Sequence, residues 1–153
     1  MKKILVALAT LVAIVAVINS ATISAEQSNK GILGMTSDEV RWFTPAYYTD
    51  GRQRAKLFGD SSADGAWVDR AKIPAGARVL AHTHPQDEVV TVIEGTWYLG
   101  EGPKFDSAKL KAYPRGSFIV IPAGVPHFVE AKEGKVIVQL SGNHKFKTDY
   151  VEK

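Results

Sequence analysis

The stretch of sequence that decides the fold is residues 76–88, which read GARVLAHTHPQDE. Alternate side chains of a β-strand point to the same face, so His82 and His84 share a face, with their Cα atoms about 6 to 7 Å apart. Pro85 cannot donate a hydrogen bond to a neighbouring strand, so the strand is expected to end there. Glu88 then opens the next strand and can return to the same pocket. Two imidazoles and a carboxylate are suitable ligands for a divalent transition metal.

A third imidazole follows a similar turn further along the chain. Gly116 is followed by Pro122, Gly124 and then His127. From residue 66 onward, short apolar and β-branched runs are separated by Gly and Pro, which is typical of an all-β sandwich or barrel. The predicted strands are 66–73, 77–82, 88–94, 96–99, 110–113, 117–121, 127–131 and 135–140.

These two blocks resemble the two motifs of the cupin superfamily. The first motif has the order Gly, His, His, Glu, Gly, and its spacing is met at Gly76, His82, His84, Glu88 and Gly95. The second is met at Gly116, Pro122, Gly124 and His127. Ala131 stands where the family usually has Asn, which is not a metal ligand, so this difference concerns only the local turn geometry. A looser resemblance to small single-domain bacterial cupins rests on the Phe58-Gly59-Asp60 loop.

The resemblance covers about residues 66–140 and implies both a fold and a site. The implied fold is all-β: a jelly-roll barrel of six to eight strands, of the double-stranded β-helix type. The implied site holds one metal on His82, His84, Glu88 and His127. Mn, Fe, Ni, Cu and Zn all accept such ligands, so the metal identity stays open.

Residues 1–25 have the composition of a signal peptide. Lys2 and Lys3 precede the apolar run 4–18, in which Thr10 is the only polar side chain. Fifteen apolar residues are fewer than the roughly 20 of a membrane-spanning helix, which makes an uncleaved anchor the weaker alternative. We therefore expect a periplasmic or secreted protein with no stable membrane insertion after cleavage.

Charge and cysteine content exclude several classes of function. The 153 residues contain no cysteine, which excludes disulfides and thiolate nucleophiles. The formal net charge is +3, but residues 1–25 carry two basic and no acidic side chains, which leaves +1 on the other 128 residues. The composition therefore gives no argument for nucleic-acid binding.

The region before the barrel is less regular. We divide the chain into residues 26–60, an N-terminal lead with edge strands, and residues 61–153, the barrel, with a single domain spanning 35–153. Thr36 and Glu39 form a weak capping box, which predicts at most a short helical turn.

Two features of this region leave alternatives open. Basic residues alternate along 51–58 and share one strand face, which is either solvated or an anion-attracting rim. They are Arg52, Arg54 and Lys56. Residues 35–50, rich in aromatic side chains, either form a homodimer surface or pack over their own barrel.

Two kinds of function compete. Three imidazoles and a carboxylate leave two positions of an octahedral ion open, so the first hypothesis is a metal-dependent enzyme acting on a small organic molecule, of the oxygenase, decarboxylase, isomerase or lyase type. Tyr98 and Glu94 are candidates for proton transfer; the alternatives are a wall aromatic for Tyr98 and a surface acid for Glu94. The second hypothesis is a module that binds a small molecule or a metal for sensing, without catalysis.

Overall fold

The computed structural model describes residues 31–152, and the predicted signal peptide, residues 1–25, lies outside the described residues. Ten strands form the fold. They are β1 (Gln53–Phe58), β2 (Trp67–Ile73), β3 (Arg78–Thr83), β4 (Glu88–Glu94), β5 (Thr96–Glu101), β6 (Lys111–Pro114), β7 (Phe118–Ile121), β8 (His127–Glu130), β9 (Val136–Gly142) and β10 (Asp149–Tyr150). A 3₁₀ turn, Ser107–Lys109, precedes β6. Within residues 31–152, no helix has the length and apolar character required to cross a membrane.

The strands form two five-stranded sheets in which every neighbouring pair is antiparallel. One sheet has the order β1-β2-β9-β4-β7 and the other β10-β3-β8-β5-β6. Buried and partly buried residues alternate along β4 and β9, so each strand turns one apolar row inward. The largest fully buried side chains include Trp67, Phe128, Val90, Val92, Val136 and Val138. This two-layer arrangement confirms the predicted all-β jelly-roll barrel.

The eight strands predicted between residues 66 and 140 are all present, with ends that differ by at most two residues. β1 is the edge strand expected from the alternation along residues 51–58, and the structure adds β10 at the edge of the other sheet. The total of ten strands among the described residues exceeds the six to eight expected for the barrel. The strand β10 has only two residues, too few to show a sequence pattern. It is recognised by its pairing with β3.

The capping box predicted at the N-terminal side forms, and it closes a single turn. Thr36 donates from its main-chain nitrogen and its hydroxyl to the Glu39 carboxylate, at 2.7 and 2.9 Å. Glu39 returns a main-chain hydrogen bond to Thr36. These capping contacts close one turn, and no helix follows it in the described chain.

The aromatic residues of 35–50 contact their own barrel. Trp42 lies under the ammonium of Lys72 on β2, with 4.0 Å between the nitrogen and the ring centre. Phe43 pairs through its main chain with Arg54 on β1. Tyr47 is 78% exposed. The homodimer remains a prediction.

Gly95 makes the tight turn between β4 and β5. Its φ of +77° lies in the left-handed region that favours glycine. A Cβ atom at this position would lie 2.5 Å from the main-chain oxygen of Lys135. The hairpin therefore needs glycine for both its conformation and its space.

We predict that Gly95→Ala destabilises the domain more than Gly116→Ala. Gly116 has a similar φ of +88°, but a Cβ there meets no atom within 4 Å. Gly116→Ala is the control, and we expect it to lower the free energy of unfolding by about 1–2 kcal/mol because of the backbone conformation alone. For Gly95→Ala we expect about 1–3 kcal/mol more, because the Lys135 backbone must move. Urea unfolding measures the loss of unfolding free energy in each variant. Equal losses would contradict the claim that the close approach of the Lys135 backbone adds to the destabilisation by Gly95→Ala.

Candidate metal centre

Four buried polar side chains meet at one end of the barrel. His82 lies on β3 opposite His127 on β8, and the two residues are register partners. His84 follows the last residue of β3, and Glu88 is the first residue of β4 in the other sheet. Each of the four is at most 6% exposed. The structure thus brings together all four residues that the sequence predicted as ligands.

The three imidazoles present their Nε2 atoms to one another. One ligand nitrogen from each ring lies within 4.8 Å of the other two. The opposite nitrogen, Nδ1, contacts a main-chain oxygen in every case: Leu80 for His82 at 2.7 Å, Lys147 for His84 at 2.7 Å and Val125 for His127 at 3.0 Å. Because a carbonyl oxygen only accepts, Nδ1 carries the hydrogen, which leaves the Nε2 lone pair of the neutral ring free for a metal ion.

Glu88 supplies the negative charge beside this group. Its Oε2 lies 3.5 Å from Nε2 of His84 and 3.4 Å from Nε2 of His127. These contacts are ion pairs only when the imidazole is protonated. Nε2 of His84 is buried without a hydrogen-bond partner among residues 31–152. An unpartnered nitrogen of this kind is costly unless something binds it. Three imidazoles, one carboxylate and one unpartnered nitrogen fit a divalent transition metal.

Burial and mutual contacts set the protonation of the group. Burial, together with nearby His127, lowers the pKa of His82 to about 3, so this ring is neutral at physiological pH. Burial opposes ionisation of Glu88, but contacts with His127 and His84 hold its pKa below the usual range. Burial also opposes a charge on His84, yet Glu88 outweighs it and raises the pKa of that imidazole. A metal ion at this site would therefore compete with a proton for His84.

The group faces a small inner cavity of about 60 Å³. Its other walls are largely apolar side chains from both sheets, among them Ile73, Val79, Trp97, Val129, Val138 and Leu140. A wider outer cavity of about 420 Å³ shares four lining residues with it: Tyr48, Arg52, Phe146 and Thr148. We describe the two as one site with an inner and an outer part.

Residues 69–141 match the family model described as Cupin domain. These residues therefore form a cupin domain. Germin-like protein subfamily 3 member 3 of Arabidopsis thaliana is 31% identical over 100 residues, which cover 64% of this chain and 44% of that protein. The chain thus spans less than half the length of this curated relative.

Solved structures share the fold at lower identity. The polyketide cyclase RemF from Streptomyces resistomycificus superposes with a TM-score of 0.65 at 17% identity, covering 80% of this chain and 87% of that one. A sugar phosphate isomerase of the cupin superfamily from Silicibacter pomeroyi gives 0.57 at 22% identity, with 72% and 75% covered. At these identities the likeness shows the fold alone.

The cupin domain uses a C-terminal segment at its site that the sequence did not indicate. This segment, residues 143–150, follows β9 and ends with β10. Phe146 packs its ring 4.5 Å from the ring of His84, and Lys147 supplies the carbonyl that His84 contacts. Thr148 lines both parts of the cavity. The segment carries no motif, so only the folded structure shows its proximity to the site.

Neither residue predicted for proton transfer lines the cavity. Trp97 occupies the inward face of β5 and lines the inner cavity, so its neighbour Tyr98 points outward and donates a hydrogen bond to Glu133. Glu94 is exposed at the hairpin end, 2.9 Å from the ammonium of Lys135. Glu94 is thus a surface acid, the alternative stated above. The placement gives no support to a catalytic role for either residue.

The three alternating basic residues, Arg52 just before β1 and Arg54 and Lys56 within it, lie in two different environments. Arg52 and Arg54 line the inner cavity, with their side chains 14% and 8% exposed. Lys56 is more exposed and pairs with Asp60 at 2.8 Å. Two of the three therefore belong to the site, which favours the anion-attracting rim over the solvated face.

We predict that Phe146→Ala weakens metal binding by about tenfold or more. The loss of the ring removes packing against His84 and loosens the segment whose Lys147 carbonyl fixes that imidazole; removing such outer contacts typically costs 10- to 100-fold in metal affinity. Competition with a zinc chelator measures the affinity. Phe118→Ala is the matched control, because Phe118 is 65% exposed on β7. Equal zinc affinities for the two variants would contradict the role given to Phe146.

Proposed function

We propose that this cupin domain holds one divalent transition metal on His82, His84, His127 and Glu88, and that it acts on a small organic molecule there. The observation that carries the proposal is the convergence of three buried Nε2 atoms, each on a ring whose Nδ1 is tied to a carbonyl. A buried set of neutral nitrogen donors beside a carboxylate has few other uses. The metal identity stays open among Mn, Fe, Ni, Cu and Zn.

The chain's own residues would bind and orient the molecule. A metal held at this site would supply Lewis-acid or redox chemistry at the positions that the protein ligands leave open. The apolar walls limit the water that enters the inner cavity. Tyr48 lines both parts of the site, and burial raises its pKa, so its phenol keeps its proton at neutral pH and can donate a hydrogen bond to a bound molecule. Neither Tyr98 nor Glu94 lines the site in this way.

The type of reaction is less closely defined. Two proteins that share the fold are a polyketide cyclase and a sugar phosphate isomerase, which agrees with the expectation of an oxygenase, decarboxylase, isomerase or lyase. The alternative is a binding module without catalysis. It is favoured by the small number of groups that could transfer a proton. Apart from the four proposed ligands and Tyr48, the polar side chains among the described residues that line the inner cavity are two arginines and one threonine, which are not among the usual general acids and bases.

The metal site is tested by a double variant, His84→Ala with Glu88→Ala. We expect wild-type protein to hold about one metal ion per chain and the double variant to hold almost none, because two of the four ligands are gone. The fold should survive, since neither residue belongs to the apolar core. Elemental analysis after dialysis against each candidate ion measures the content, and circular dichroism reports the fold.

The matched control for that test is His144→Ala. Its side chain is 74% exposed and lies outside the site, so its metal content should equal that of wild type. Full metal content in the folded double variant would show that the ligand assignment is wrong.

Enzyme and binding module are separated by following product. Wild-type protein is incubated with O₂ and a panel of small acids and sugars, before and after removal of metal with a chelator. Turnover that disappears with the metal supports the enzyme. Stoichiometric thermal stabilisation without product supports the binding module.

We further propose that the protein is exported to the periplasm or secreted. The charged start and the apolar run of residues 1–25 support this. N-terminal sequencing of protein from the cell envelope or the medium should begin near residue 26 or 22. An intact Met1 on the mature protein would contradict it.

A further inference from the structure

We propose that the site selects a small organic anion and that Arg52 and Arg54 recognise its carboxylate. This inference rests on the proposed metal-dependent function and specifies the class of molecule. It follows from how the two guanidinium groups are held, from the charge balance of the site and from the shape of the two-part cavity.

Arg52 is fixed where the inner and outer cavities join. Its Nε donates to both carboxylate oxygens of Asp50, at 2.9 and 2.7 Å. Its Nη2 donates to the hydroxyl of Tyr150 at 3.3 Å, and its guanidinium carbon lies 4.3 Å from the centre of the Tyr48 ring. Nη1 has no acceptor among residues 31–152, so it can donate to a guest. A guanidinium already held in place loses little further freedom when a carboxylate binds.

Arg54 is held deeper in the site. Its Nη2 donates to Asp69 at 2.8 Å, and Ser61 donates to the same carboxylate oxygen at 2.7 Å. Its guanidinium carbon lies 5.0 Å from the centre of the Phe146 ring, and that ring packs against His84. Asp69 occupies only one edge of the guanidinium. The remaining N–H groups have no acceptor among the described residues, and the inner cavity is one place from which an acceptor can reach them.

The charges of the site balance only when one more negative charge is present. Asp50 and Asp69 neutralise the two arginines pair by pair. A divalent ion beside the single carboxylate of Glu88 leaves an excess of +1. Uncompensated charge is costly in a buried site, so a monoanion is favoured over a neutral guest of the same size.

The shape of the cavity suggests the rest of the molecule. An inner volume of about 60 Å³ admits a group the size of a carboxylate, whereas the outer volume of about 420 Å³ admits a larger body. The outer part is lined by the aromatic rings of Tyr47, Tyr48, Phe146 and Tyr150. These rings suit a planar or apolar body, with the carboxylate directed inward.

The test compares benzoate with benzamide, which has nearly the same shape but no charge. Isothermal titration calorimetry measures both, in zinc-loaded and in chelator-treated protein. We expect benzoate to bind at least about tenfold more tightly than benzamide to wild type, because a charge-assisted hydrogen bond is about twice as strong as a neutral one. Arg52→Gln should remove most of that preference while zinc content and benzamide affinity stay unchanged.

Two further variants complete the design. Lys56→Gln makes the same change of charge on the same strand, away from the inner cavity, and should leave the preference intact. Arg54→Lys keeps a charge beside Asp69 but loses the planar fork, so it should fold and bind benzoate less tightly. Melting curves confirm the folding of each variant.

The outcomes separate this inference from the proposed function. Equal binding of benzoate and benzamide to wild type, or an unchanged preference in zinc-loaded Arg52→Gln, would overturn the anion site even when zinc binds as proposed. Failure of wild type to bind zinc would overturn the metal function. A benzoate preference that persists in metal-free protein and disappears in Arg52→Gln would still support the anion site.

Discussion

Three hydrogen bonds, each from an imidazole Nδ1–H to a main-chain carbonyl, orient the candidate metal centre. Each bond fixes a ring and leaves its Nε2 lone pair directed at the shared space. Two of the carbonyls are local, two residues before His82 and His127. The third belongs to Lys147, 63 residues beyond His84. The centre therefore depends on two short stretches of backbone and on one distant segment that folding brings across the barrel opening.

The rest of the domain allows such a polar group to be buried. The apolar rows of β2, β4 and β9 form a continuous core from Trp67 to Leu140, and the four proposed ligands lie outside it. Buried ionisable groups contribute little to stability on their own. The core supplies the stability, so the site can keep an unpartnered nitrogen on His84 and a strongly lowered pKa on His82. We interpret the unpartnered nitrogen and the lowered pKa as unfavourable features that the domain retains because they leave the site able to bind a ligand.

Local rules in the sequence predicted most of the barrel, and the resemblance to the cupin motifs implied the whole proposed ligand set. Alternation along a strand placed His82 and His84 on one face, and Pro85 and Gly95 marked the ends of strands. The features that the sequence did not predict depend on packing between distant segments. The C-terminal segment has no pattern of its own and is positioned by its contacts with β3 and His84.

Two placements that the sequence left undecided have similar physical causes. Tyr98 was chosen for its chemistry, but on β5 the residue that faces inward is Trp97, and alternation turns Tyr98 away. For Arg52 and Arg54, the strand pattern showed that they share a face, but not which environment that face meets. The pairing of β1 with β2 and the position of Tyr48 and Phe146 decide this. Strand pairing and contacts between distant residues cannot be read from any single segment of sequence.

The most direct test of the account is X-ray absorption spectroscopy of zinc-loaded protein at the zinc edge, because it reports the ligands themselves. The account predicts imidazole scattering from three rings, with nitrogens about 2.0–2.1 Å from the ion and an oxygen at about 2.0–2.2 Å. The imidazole signal should fall when His84 is replaced by Ala. A zinc ion coordinated only by water and carboxylates, or by a single imidazole, would contradict the central claim that this barrel opening is a three-histidine metal centre.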